Sequence, residues 1–284
     1  MLSKIRKWFQ APSGAHVQVL SDLHLEVGSQ YATYTFPVAA PFLLLVGDIG
    51  RLIDYDAYLE FLVTQVSRFD KVFLILGNHE FYGLEFQSGI DEAQRLSKEP
   101  ALQKKLVLLH KSRWDDPDSN LTILGCTLWS SVPETAFEIV EYKISDFKKI
   151  QNWTVHDHNR VHADELEWLC DQVSLAKESN RTILVATHHA PCIEGTSRPE
   201  HAQNPWTSAF ASELLGDNSW EGVKVWVFGH THYTTRFTRR GIELVANQRG
   251  YVLPGGSAQV EGGNTTVKVK KQKNTFDPFC TITV

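Results

Sequence analysis

Five short clusters of aspartate, histidine and asparagine are the parts of this chain best suited to chemistry. Ser21-Asp22-Leu23-His24 sets a carboxylate and an imidazole two positions apart, a spacing that can aim both at one point as the chain leaves a strand. Gly47-Asp48, with Gly50 and Arg51 just after, sends a second carboxylate into a glycine-flexed turn. Gly77-Asn78-His79-Glu80 offers a neutral amide oxygen, which limits excess negative charge in a site that must also accept an anion. Thr187-His188-His189-Ala190-Pro191 and Gly229-His230-Thr231-His232 add imidazoles, and an H-x-H turn can direct its two rings at different metal ions. One such cluster alone reads more simply as a turn cap or a satisfied core histidine. Five in one chain point to a metal centre, and mixed N and O donors suit Mn, Fe, Zn or Co.

Each cluster closes an apolar, β-rich run, over residues 16–22, 42–48, 71–80, 182–189 and 223–232. Their near-continuous Val, Ile, Leu and Phe content predicts strands buried on both faces. Loops at strand ends are where α/β folds build their sites. Apolar residues at three- and four-residue steps predict helices over 55–69, 88–106 and 163–177. The segments 233–240, 241–247 and 281–284 read as further strands, several alternating as antiparallel pairs do. Stretches 115–120 and 192–205, rich in Pro, Gly, Ser, Asp and Asn, predict loops, the second forming a substrate entrance. A mixed sandwich of sheets flanked by helices follows.

The 284 residues suit one large domain, expected over 1–284 with an N-terminal extension over 1–15. Hydrophobic residues at 42% and charged residues at 21% exclude disordered and fibrous classes. Net charge is 28 − 33 = −5, which disfavours long nucleic acid as a substrate. The basic run 268–273 reads as a solvated edge strand or turn. Four scattered cysteines without a CxxC pair predict free thiols in a reducing compartment. Residues 1–10 lack a signal peptide's apolar core, and no window is apolar enough to span a membrane, so a cytoplasmic location is expected.

His158 and His162 lie four apart on one predicted helix face, with His156 nearby, and read as a solvated or packing face rather than a third metal site. Trp129 could project an aromatic platform towards a substrate ring, with core packing as its alternative. Tyr82 and His189, each beside a cluster, are further candidates for substrate contact. Cys192 carries no mark of a nucleophile. Neither a P-loop nor a nucleophile elbow is present, which argues against an NTPase or a serine hydrolase.

The five clusters, in this order, closely resemble the blocks of the calcineurin-like metallophosphoesterase superfamily: D-x-H, G-D, G-N-H-[DE], a lone His and G-H-x-H. The match runs from Asp22 to His232, and Asn247-Gln248-Arg249-Gly250-Tyr251 resembles a segment that follows the last block in relatives. The resemblance implies an α/β fold with four layers, two mixed sheets between outer helices. It also implies two metal ions, one on Asp22, His24 and His232, the other on Asn78, His188 and His230, with Asp48 bridging. His79 would stand off the metals as general acid to the leaving oxygen, oriented by Asp22 or another carboxylate. Arg51 receives no role. Such a pair of ions lowers the pKa of a shared water and offsets the charge of in-line phosphoryl transfer. The expected reaction is hydrolysis of a small, nucleotide-like phosphodiester. A phosphomonoesterase or protein phosphatase is the alternative within the fold, and a silent scaffold module the alternative outside catalysis. Intact donors favour the enzyme.

Overall fold

The computed structural model describes residues 14–201, 203–216, 219–253 and 274–284. The opening segment 1–10, most of the expected extension 1–15 and the basic run 268–273 lie outside them. Strands β1 (His16–Leu20), β2 (Phe42–Val46), β3 (Lys71–Ile75) and β4 (Leu106–Leu108) pair in parallel to form one sheet. Strand β5 (Ser112–Asp115) opens a second sheet antiparallel to β6 (Leu121–Cys126), and β7 (Thr182–Thr187) and β8 (Val223–Phe228) continue it in parallel. Strand β9 (Thr235–Arg239) forms the far edge, antiparallel to β10 (Ile242–Ala246), which is parallel to β8. Strand β11 (Thr281–Thr283) returns to the first sheet beside β1.

Alternation along each strand explains why the runs are apolar throughout. Val17, Val19, Leu44, Val46, Phe73 and Ile75 face Ile123, Leu184, Ala186, Val225 and Val227 across the interface between the sheets. Their neighbours Leu43, Leu45, Val72 and Leu74 pack outward under helices α1 (Tyr55–Arg68) and α2 (Phe86–Ser97), through Tyr58, Phe61, Leu62, Ile90 and Leu96. The short helices α3 (Phe137–Lys143) and α4 (Asp146–Lys149) lie beside the sandwich, and α5 (Val155–Glu178) covers the second sheet through Leu169, Val173 and Ala176. The result is the expected four-layer α/β sandwich.

Two predicted boundaries move. Helix α2 ends at Ser97 instead of continuing to 106, because Pro100 cannot donate to a continuing ladder and Gln103 and Lys104 turn left-handed. The apolar run beyond it becomes β4, an edge strand. Helix α5 begins eight residues before the predicted 163, at a capping box in which Thr154 and Asp157 satisfy each other's backbone N–H. No helix among the described residues is long and apolar enough to cross a membrane.

Candidate metal centre

The five strand-end clusters meet at one end of the sandwich. Asp22, His24, Asp48 and His232 bring donor atoms within 4.8 Å of one another, and Asp48 does the same with His188 and His230. Asp48 is therefore common to both groups. Its Oδ1 lies 3.4 Å from His188 Nε2 and its Oδ2 3.8 Å from His24 Nε2. Asn78 Oδ1 is 3.1 Å from His188 Nε2, and His24 and His232 bring their Nε2 atoms to 2.9 Å. All seven expected donors thus converge.

Local backbone makes this possible at a cost. Asp22, His24, Asp48, His230 and His232 have φ between 47° and 70°, the left-handed region that costs an L-residue about 1–2 kcal/mol. Cross-strand hydrogen bonds hold them there: Asp22 N–H donates to Gly47 O, His24 N–H to Asp48 O, and Gly250 N–H to Asp22 O. Glycine is required beside them, since a Cβ at Gly77 would collide with the Asp48 carboxylate and backbone, and one at Gly47 with the His188 ring. The buried Glu80 carboxylate ties the second and third loops together, accepting from the N–H groups of Gly77, Asp48 and Ile49. Burial and the nearby Asp48 charge push its pKa up to about 7 against those donors.

The donor set fits metal ions on this structure's own terms. Asp22 and Asp48 are almost wholly buried, and among the described residues their close charged partners are imidazoles, with no Lys or Arg ion pair. Buried carboxylates call for compensating positive charge, which metal ions would supply. The His230 Nε2 atom is buried without a hydrogen-bond partner among the described residues. His188 donates through Nδ1 to the Val46 carbonyl at 2.9 Å, which turns Nε2 towards Asp48 and Asn78.

His79 stands beside this centre. Its Nδ1–H donates to Glu26 Oε1 at 2.8 Å and its Nε2 lies 3.0 Å from the Tyr251 hydroxyl. The carboxylate orienting it is Glu26, not Asp22, whose oxygens instead accept from Ser21 Oγ–H and His230 N–H. Burial disfavours the His79 cation, but Asp48 and Glu26 together raise its pKa above the ordinary imidazole value. Burial also opposes charge on Glu26, yet hydrogen bonds from His24 and His79 bring its pKa down to about 2.

A cavity of about 480 Å³ opens over the centre, lined by Asp48, Asn78, His79, Tyr82, His230 and His232 and by residues of the predicted entrance loop, Ser197, His201 and Asn204. Tyr82 reaches it, with its hydroxyl donating to Asp146 at 2.7 Å. Trp129 and His189 do not. Trp129 is fully buried among Phe81, Phe86 and Trp153, so the expected platform is core. His189 is buried and stacked on His230 at 4.1 Å, behind the donor rather than in the cavity. His158 and His162 pack inward against Ser130 and Trp129, and neither joins a converging donor group among the described residues. Arg51 pairs with Asp54.

Sequence reasoning missed Glu26 and Asp146. The first sits in a D-x-H-x-E extension of the opening cluster, a signal that was available. Asp146 accepts from Asn78 Nδ2 at 2.7 Å, turning the amide oxygen inward, but it arrives from α4 with no motif around it.

A family model described as calcineurin-like phosphoesterase matches residues 15–234. Among curated proteins, an uncharacterized protein of Acanthamoeba polyphaga mimivirus is 28% identical over 262 residues, covering 83% of this chain and 91% of that one. Among solved structures, phosphopantetheinyl hydrolase from Mycobacterium tuberculosis is similar in fold, with a TM-score of 0.57 at 15% identity, covering 85% of this chain and 91% of that one.

Proposed function

This chain belongs to the calcineurin-like phosphoesterase family, and from that premise we propose that it hydrolyses a small, nucleotide-like phosphodiester at a two-metal centre. Asp22, His24 and His232 would hold one ion, Asn78, His188 and His230 the other, with Asp48 shared. When bound, the pair supplies positive charge for the phosphoryl oxygens and a nucleophile from water at neutral pH. The observation that carries the reading is the sharing of Asp48 between two converging donor groups at the floor of a cavity that His79 also lines.

The chain's own residues provide the rest. His79, held through Nδ1 by Glu26, delivers a proton from Nε2 to the departing alkoxide, a general-acid role. Tyr251, hydrogen-bonded to that nitrogen, yields its place to the leaving oxygen or bridges to it. Glu26 fixes the ring and the tautomer of His79, and of His24 at 3.2 Å. Asp146 fixes the Asn78 amide.

A diester is favoured over a monoester by charge. Among the described residues Lys143 is the one Lys or Arg side chain lining the cavity, so a dianionic monoester finds little compensation from them beyond the metals. The test compares bis(p-nitrophenyl) phosphate with p-nitrophenyl phosphate, using metal-depleted protein to which Mn, Zn or Fe is restored. Preference for the diester supports the reading. Preference for the monoester makes the protein a phosphatase, and silence on both with every metal returns the scaffold alternative.

A further inference from the structure

The outer wall of the cavity is built by segments that carry no expected metal donor: the end of α3 with Lys143, and the stretch holding Trp206 and Phe210. Trp206 is half-buried. It packs against the apolar cluster of Val132, Val140 and Ala209 and also lines the cavity. The Lys143 ammonium lies 5.6 Å from its ring centroid, within cation–π range. Other aromatic rings of the cavity are held by residues of the expected metal centre, whereas Trp206 is held by Lys143 and the apolar cluster. Phe210 stacks on His230 at 4.7 Å, Tyr82 is tied to Asp146, and Tyr251 is tied to His79.

We propose that Trp206, supported by Lys143, determines specificity as the plate on which the base of a nucleoside phosphodiester stacks. This rests on the phosphodiesterase reading and adds the substituent that the site selects. A metal-binding floor takes the phosphodiester, and an indole backed by apolar packing in the same cavity takes a flat ring. Every nucleobase offers a π-face, so such a plate recognises the class without choosing among bases. The cavity volume suits a ligand of nucleotide size. Trp206 takes the place that Trp129 held in the sequence reading.

The experiment uses metal-loaded full chain and two diesters with one leaving group, thymidine 5′-(p-nitrophenyl phosphate) and methyl p-nitrophenyl phosphate. The wild type should favour the thymidine ester in kcat/KM. Trp206→Ala should cut that ratio roughly tenfold, chiefly through KM, while Trp206→Phe keeps most of it. Because the ratio is read within each variant, partial loss of active protein cancels, and Trp206→Leu serves if the alanine variant does not fold. No preference in the wild type, or a preference unchanged by removal of the indole, overturns the proposal. Hydrolysis of p-nitrophenyl phosphate with neither diester cleaved would overturn the phosphodiesterase reading and this proposal with it.

Discussion

The Nδ1 atom of His79 lies 2.8 Å from Oε1 of Glu26, and the same carboxylate oxygen lies 3.2 Å from Nδ1 of His24. One partly buried acid therefore sets the tautomers of an expected metal donor and of the expected proton donor. Glu26→Gln keeps the shape and removes the charge. Turnover of diesters with alkyl leaving groups should fall roughly 10–100-fold, and that of p-nitrophenyl diesters much less. Equal losses on both classes, measured as kcat, would remove Glu26 from the acid role.

His79→Ala should retain its metal complement, since the ring stands outside the shared-Asp48 groups, and in its own cluster with His24 and Glu26 its Nδ1 is committed to Glu26. Activity on alkyl esters should drop about 10²–10⁴-fold. Metal content by elemental analysis and kcat on matched leaving groups check both halves. Unchanged turnover on an alkyl ester would refute the acid role.

Gly77→Ala inserts a methyl group into the space of the Asp48 carboxylate and its backbone N–H. The neighbour cannot move without leaving both donor groups. The variant should bind fewer than two ions per chain while its far-ultraviolet circular dichroism stays that of the wild type. Full metal occupancy would show that the loop yields more easily than its geometry implies.

Glu165 gives a pH signature away from the centre. Burial pushes its carboxyl up to about 8, against donation from backbone N–H groups including that of Trp129. A raised folded pKa means that the fold holds a proton the unfolded chain releases near 4.5. This contribution to stability is present below pH 4.5 and lost as pH rises through about 8. Glu165→Gln should therefore flatten the fall in Tm between pH 5.5 and 8.5, read by thermal melts. An undiminished slope would place the lost stability elsewhere.

What could be read in advance follows how local each signal was. The strand runs carry alternating inward and outward apolar residues, so both sheets and the strand-end positions of the seven expected donors were visible. Trp129 follows β6 as closely as a cavity residue would, and only packing against Phe81 and Trp153 reveals it as core. Asp146 and Trp206 reach the cavity from segments that no periodicity ties to it. The end of α2 failed because the apolar residues after Pro100 fit a helix and a strand equally well.

The left-handed backbone at Asp22, His24, Asp48, His230 and His232 sets heat resistance against chemistry within one set of positions. Glycine at any of them would relieve the torsional conflict and delete a donor. A population screened for thermal survival alone would drift towards such replacements, each leaving a sturdier sandwich with a poorer centre. The durability of this fold and the persistence of its activity are thus separate quantities, and a gain in one gives no assurance of the other.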